Sequence, residues 1–387
     1  MVIATLDALA AMDYPAFDVL LIDNNTPSPT TWQPVAEHVA SLGSRFRFIH
    51  RDGVEGAKAG ALNIALQETH EAARFVAVID ADYQVSPDFL TRAVEAARES
   101  GADFVQFPQA YRGVGSARSV ERELRAYFEQ YPAAANASGA PLLTGTLSLI
   151  ERRALEAAGG WPTSTITEDA ELGVRLWELG MNGRYVDRIV GRGLLPVDFA
   201  GLRTQRQRWV AGNVQSLLGL LQRGARGRGG SAAVVAQLTA WPSFIAIPLL
   251  AFAWLALAGP GVELAGALMA VSSATLIATC LGLVFRALAL RSPSVLVVKS
   301  ALLWTSSLGW WPVMWGKRLQ FRRTPKSAGS RGSVWNVESM GSALALLLAA
   351  VLAAQGWWLP AALTLLCSAG LITVPLVDRS LRQAAVA

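Results

Sequence analysis

Cysteine, histidine and charge are all scarce in this chain of 387 residues. The two cysteines, Cys280 and Cys367, sit inside apolar blocks, and the three histidines, His38, His50 and His70, share no ligand spacing. This pattern excludes a disulfide framework and a zinc site built on cysteine and histidine. Charged residues make up 16% of the chain against 52% hydrophobic, which is too apolar for a soluble enzyme of average composition. The first residues lack a basic stretch and carry Asp7 and Asp13, so Met1 to Asp13 is no secretory signal and reads as a helix leading to Tyr14-Pro15. Arg223, Arg226 and Arg228, and the cluster from Lys317 to Arg331, have no aromatic platform between them. They read as membrane flanks, and no nucleic-acid partner is expected.

The apolar excess lies almost wholly after residue 230. Before it, short apolar runs alternate with helix-like stretches, the pattern of an α/β domain expected over 1–222; a membrane region is expected over 223–387. Within the first part, Val19 to Ile22 reads as a strand ending at Asp23-Asn24-Asn25-Thr26. Ligands of open α/β sheets lie at carboxyl ends of strands, so Asp23 is either a ribose or base contact or an ordinary Asx turn. Arg45 to His50 is a second strand, followed by a glycine-rich helix start, Gly53 to Asn63, that carries Lys58 and can cradle phosphate without matching a known fingerprint.

Phe75 to Ile79 is the clearest strand and delivers Asp80-Ala81-Asp82, where period-two alternation would point both carboxylates one way, one to bind a divalent ion and the other to orient a ribose or second oxygen, with a bland turn as the alternative. Phe104 to Gln109 is a strand whose Pro108 marks an edge or an end. Pro141 to Ile150 reads as a mixed apolar strand; its Gly145, beside Thr144, permits either close approach by a substrate or a simple bulge.

The stretch from Thr163 to Trp209 carries the densest chemistry. Thr167-Glu168-Asp169 opens an amphipathic helix with Leu172, Leu176 and Leu179 on one face, where a carboxylate can be tuned as acid or base. A plain capping box between Thr165 and Glu168 is the bland alternative. Gln205-Arg206-Gln207-Arg208-Trp209 combines anion-gripping guanidinium groups with a flat ring.

Taken together, Asp23, Lys58 to Asn63, Asp80-Ala81-Asp82, Thr167-Glu168-Asp169 and Gln205 to Trp209 resemble, in order and rough spacing, the inverting family-two glycosyltransferases, specifically their membrane-embedded, cellulose-synthase-like branch. The resemblance implies a GT-A fold, and a Mg²⁺ or Mn²⁺ ion and the donor diphosphate at Asp80 and Asp82. It implies uridine contact at Asp23, Lys58 near the nucleotide, and Asp169 as general base within the motif of Thr167 and Glu168. Gln205, Arg206, Arg208 and Trp209 would hold the pyrophosphate and the acceptor end, with Thr144 and Gly145 on the acceptor-side strand. Two departures stand out. The chain starts at the helix following the family's first strand, so a GT-A domain without that strand is expected, with the frame extending upstream. Leu142 to Thr146 also lacks the cysteine of cellulose synthases, which puts cellulose itself in doubt.

Four apolar stretches, about 234–257, 262–285, 339–358 and 359–377, approach the ~20 residues that span a bilayer. Residues 294–315, with Lys299 and Gly309-Trp310-Trp311-Pro312, read as an interfacial helix, because spanning would set the basic clusters on opposite sides. Residues 317–332 resemble the family's gating loop, with Phe321, Thr324 and Lys326. The expected protein is a multi-pass enzyme of a bacterial-type inner membrane with a cytosolic catalytic domain. It would transfer a hexose from a nucleotide sugar, expected to be UDP-linked, to a growing β-linked glycan, with export or accessory subunits among its partners. A non-processive transferase onto a lipid acceptor is the alternative, and an inactive glycan channel or scaffold is a third reading.

Overall fold

The computed structural model describes residues 1–224, 229–258, 264–316 and 336–386. In chain order the first part runs α1 (Val2–Ala10), β1 (Val19–Asn24), α2 (Pro29–Ser41), β2 (Phe46–Arg51), α3 (Ala57–Gln67), β3 (Phe75–Val78), β4 (Gln84–Val85), α4 (Phe89–Ser100), β5 (Phe104–Gln106) and β6 (Ala110–Arg112). It continues through α5 (Arg118–Gln130), α6 (Pro132–Ala135), β7 (Ser148–Glu151), α7 (Arg152–Ala157), α8 (Glu168–Glu178), β8 (Gly183–Tyr185), β9 (Gly191–Leu194) and α9 (Phe199–Gln222). Apolar helices follow: α10 (Ser231–Leu238), α11 (Ala246–Ala258), α12 (Ala265–Ala289), α13 (Ser294–Ala301), α14 (Leu303–Leu308), α15 (Trp311–Met314), α16 (Val337–Ala354), α17 (Trp358–Leu366) and α18 (Gly370–Val386).

Two compact units emerge. The first holds Met1–Arg112, Tyr127–Leu194 and Gly212–Ala240; the second holds Gly113–Ala126, Leu195–Ala211 and Trp241–Ala387. Helix α9 contributes to both: Gln205 to Trp209 lies in the second unit, and its residues from Gly212 on lie in the first.

In the first unit, β1 and β2 pair in parallel, Val19 opposite Phe46 through Asn24 opposite Arg51. A four-stranded sheet has the order β3-β7-β5-β8, with β7 antiparallel to both neighbours and β8 parallel to β5. A third sheet, β4-β9-β6, is also mixed. The strand at Phe104 is interior rather than at an edge, and Pro108 follows its end, where no ladder donor is missed. One core gathers Leu6, Phe89, Val105, Phe107 and Leu147, and another Val78, Phe104, Ile150, Leu155, Leu172 and Leu176. The stripe on α8 stops short of Leu179, which caps the helix and is half exposed.

Expectation and structure part company at 141–147. This stretch is not a strand: Pro141 has no N–H, and Gly145 and Leu147 adopt φ of 82° and 53°. The pairing segment is confined to Ser148–Glu151.

In the second unit, three helices among the described residues are long and apolar enough to cross a membrane: Ala265–Ala289, Val337–Ala354 and Trp358–Val386, the last containing α17 and α18. The stretch 234–257 is not one span. It breaks into α10 and α11 around Trp241-Pro242, where proline disfavours helix in the residue before it, leaving Ala246–Ala258 as a shorter apolar helix. Residues 294–315 form three short helices, α13 to α15, rather than one, with breaks at Leu302 and at Gly309-Trp310. Val271, Leu281, Phe285 and Leu288 of α12 are exposed, the outward apolar face that lipid would cover. The gating-loop segment, with Phe321, Thr324 and Lys326, lies outside the described residues.

Candidate active site

The centre of the first unit's site is a single ammonium. Lys58 sits in the first turn of α3, whose N-cap Gly56 adopts φ of 76°. The glycines on either side of it answer to packing: a β-carbon on Gly56 would lie 2.5 Å from Thr163 Cγ2, and one on Gly60 would overlap the Glu55 carbonyl. At the far end of the motif, Asn63 clamps Trp161, donating from Nδ2 to its carbonyl at 2.8 Å and accepting from its N–H at 2.7 Å. The motif thus fixes α3 against the segment leading into Thr167.

From this helix, Lys58 Nζ donates to Asp80 Oδ1 at 2.5 Å and to the Gly145 carbonyl at 2.7 Å, and lies 3.8 Å from Glu168 Oε1. Burial alone would lower its pKa, but the carboxylates of Asp80, Glu168 and Asp169 outweigh it and raise the value above the usual lysine range. One ammonium therefore serves three carboxylates.

Gly145 is the hinge of this arrangement. A β-carbon there would lie 2.7 Å from Asp169 Oδ2, and φ of 82° favours glycine, so the group that its bare backbone admits here is the Asp169 carboxylate. The loop is held from behind by Gln106, fully buried, whose Nε2 donates to the carbonyls of Phe107 and Thr146 while Oε1 accepts from Thr144 N–H at 2.9 Å. Gln109 adds a 2.6 Å bond to the Thr144 carbonyl, and the Thr144 hydroxyl is buried with no hydrogen-bond partner.

Asp80 and Asp82 occupy a turn after β3, with Tyr83 N–H donating to the Asp80 carbonyl at 3.0 Å. Strand alternation therefore does not orient them. Asp80 N–H donates to Thr146 Oγ1 at 3.0 Å, Asp82 Oδ2 accepts from Leu194 N–H at 3.1 Å, and Arg112 donates to the Asp82 carbonyl at 2.7 Å.

Two carboxylates on one turn, in a site where lysine alone under-neutralises the negative charge, fit a hard cation such as Mg²⁺ or Mn²⁺. Such ions take one or two carboxylates and complete their shell with phosphate and water. Among the described residues no group of three or more His, Cys, Asp or Glu forms a dedicated cage.

Thr167 is the N-cap of α8 but makes no side-chain cap bond, and Thr165 bonds the Thr167 carbonyl, so the capping box is not formed. Thr167 is buried, and its hydroxyl has no hydrogen-bond partner. Glu168 is buried beside Lys58. Tyr127 went unnoticed in the sequence as part of a charged helix. It is buried in the field of Asp169; burial first, then that carboxylate and Tyr131, push its hydroxyl above the usual tyrosine range.

Asp23 forms its own cluster. Its Oδ1 accepts from Thr26 at 2.7 Å, its Oδ2 lies 2.8 Å from His50 Nδ1, and the His50 ring stacks on Trp32 with centroids 4.4 Å apart. Neither bond is the backbone N–H contact of an Asx turn; both partners of Asp23 are side chains.

Arg206 differs most from expectation. In the second unit it is buried, donates to Glu123 through both terminal nitrogens at 3.0 and 2.6 Å, and shares that carboxylate with Lys299 at 3.1 Å. Its guanidinium lies 4.2 Å from the Trp241 ring centre and 5.7 Å from that of Trp209, whose rings are 5.0 Å apart. A guanidinium so committed holds its neighbours rather than a diphosphate. Gln205 Oε1 is buried without a partner, and Arg208 is half-buried. Arg223, expected as a membrane flank, is instead tied to α8 through Glu178 and Glu171 at 3.0 and 3.2 Å.

Known proteins resemble this chain over the same region. A probable glucomannan 4-beta-mannosyltransferase of Arabidopsis thaliana is 32% identical over 203 residues, covering 50% of this chain and 36% of that protein. A beta-monoglucosyldiacylglycerol synthase of Synechocystis is 31% identical over 228 residues, covering 54% and 44%. The chain spans less than half the length of the curated relatives it matches. Among solved structures, a mannosyltransferase from Pyrobaculum calidifontis, in complex with GDP-Man and Mn²⁺, shares the fold with a TM-score of 0.51 at 20% identity, over 81% of this chain and 83% of that one. The model of the family described as glycosyltransferase like family 2 matches residues 1–212. With its mixed sheets, its fold neighbour and apolar helices behind, the chain is a family 2 glycosyltransferase of GT-A type, similar to the cellulose-synthase-like enzymes.

Proposed function

We propose that this enzyme transfers a hexose from a nucleoside-diphosphate sugar to a glycan hydroxyl with inversion, at the cytoplasmic face of a membrane. The observation that carries the reading is the shared ammonium of Lys58, bonded to Asp80 and to the Gly145 carbonyl, with Asp169 pressed against the same glycine. Asp169 takes the proton of the acceptor hydroxyl as its oxygen bonds to the anomeric carbon; the bond from that carbon to the phosphate oxygen breaks on the opposite face, and the nucleoside diphosphate leaves with the electron pair. Asp80 and Asp82 would hold a Mg²⁺ or Mn²⁺ ion, whose charge would stabilise the departing diphosphate.

Lys58 orients Asp80 and supplies fixed positive charge to the site. Asp23, on its shelf of His50 and Trp32, contacts the nucleoside, and in the second unit Gln205 and Arg208 are polar and cationic groups of the kind that bind phosphate. Trp209 with Trp241 offers the acceptor sugar an aromatic face. Arg206 is left out of the donor site and serves as their support.

Asp169→Asn keeps shape and hydrogen bonding but removes the proton acceptor. Turnover of UDP-glucose or GDP-mannose, whichever the parent uses, should fall by ~10²–10⁴ with nucleotide affinity little changed; turnover within a few-fold of the parent overturns the assignment. A lipid acceptor is the second reading, favoured by the likeness to the glucosyldiacylglycerol synthase. Extraction of radiolabelled product separates the two: a single-sugar lipid enters the organic phase, and a polymer stays aqueous.

A further inference from the structure

Behind the turn that carries Asp169, one residue of α9 has no room for a side chain. A β-carbon on Gly212 would lie 2.3 Å from Thr167 Oγ1, 2.6 Å from its Cγ2 and 2.8 Å from its Cβ. These distances are below van der Waals contact, and Thr167 is itself buried with an unpartnered hydroxyl, so the threonine has nowhere to retreat. One turn further on, Gln215 Oε1 accepts from Ile166 N–H at 3.2 Å, holding the residue before Thr167. Two residues after Thr167, Asp169 meets the backbone of Gly145 so closely that a β-carbon there would stand 2.7 Å from its Oδ2. The first turn of α8 thus packs against two glycines, Gly212 at Thr167 and Gly145 at Asp169.

We infer that Gly212, together with Gln215, is a positioning residue for Asp169: backbone contact between α9 and Thr167 sets how far the carboxylate reaches over Gly145. The inference rests on Asp169 being the base. A shift of the turn by a few tenths of an ångström to an ångström would move the carboxylate relative to the acceptor oxygen while leaving Asp80, Asp82 and Lys58 on their own elements. Gly212 would then control turnover and not donor binding.

The test uses the full chain in detergent, with kcat and KM for UDP-glucose or GDP-mannose, and calorimetric binding of UDP and GDP with Mn²⁺. Gly212→Ala should lower kcat by ~10²-fold, the scale of a 1 Å misplacement, with nucleotide affinity within two-fold. Adding Thr167→Ala removes two of the three clashing atoms and should recover at least ten-fold of that loss. Gln215→Leu, which adds no bulk in the contact, should lower kcat in the same direction and keep the inference testable if Gly212→Ala folds poorly. Parent-like kcat in Gly212→Ala, an equal fall of nucleotide affinity, or no recovery in the double variant would overturn it. If Asp169→Asn turns over like the parent, the base reading and this inference fall together. If Asp169→Asn is impaired while Gly212→Ala is not, only the inference falls.

Discussion

Glu123 is wholly buried, and burial alone would raise its pKa, yet Arg206 and Lys299 hold its carboxyl at about 2, below the ordinary 4.5. A carboxyl depressed on folding contributes stability above its unfolded value and loses it as pH falls through the folded one. Melting temperature of the parent should therefore drop between pH 4.5 and 2, while Glu123→Gln, already destabilised at neutral pH by ~3–5 kcal/mol as one partner of a buried pair is removed, should show a shallower acid slope. Circular dichroism melts across that range check both. A second prediction concerns Asp82→Asn, which should weaken Mn²⁺-dependent UDP or GDP binding by at least ten-fold and leave metal-free binding nearly unchanged, as read by calorimetry. The chemistry of these residues was legible in the sequence because acids and bases announce themselves by type. The partner of Arg206 was not, since Glu123 lies 83 residues away on a helix that reads as merely charged.

Among elements, β1, β2, β3 and β5 fall where short runs rich in β-branched, aromatic and other apolar residues put them, although of these four only β5 is buried along its whole length. The loop 141–147 did not, since its apolar residues imitate a strand while Gly145 and Leu147 take left-handed φ, and the polar groups of its backbone are answered by a side chain distant in sequence, Gln106. That dependence can be tested. Gln106→Leu leaves the Thr144 N–H and the Thr146 carbonyl without their partner in a fully buried place, at ~1–3 kcal/mol for each group stranded. Thermal unfolding should register the loss, and turnover should fall further than stability explains, because Gly145 shapes the approach to Asp169.

At the scale of the whole chain, the shift from a charged α/β half to an apolar helical half is readable from composition alone, whereas the partition of α9 between the units is not, since no local signal marks where contacts change. The acceptor question belongs here. Trp209→Ala should shorten or abolish product while preserving nucleotide binding and some donor hydrolysis, measured as product length per folded enzyme; product of normal length would remove Trp209 from the acceptor path. A last consequence follows from Glu338 at the start of α16. Its buried carboxylate accepts from the backbone N–H groups of Trp304 and Thr305 at 2.9 and 2.7 Å, and Trp304 Nε1 donates to Ser342 at 3.2 Å. Helices α14 and α16, joined here across 34 residues of sequence, are thus held together through one carboxylate. An apolar residue in place of Glu338 would strand both N–H groups in a buried place, so this pair of helices is set by polar pairing as well as by apolar fit.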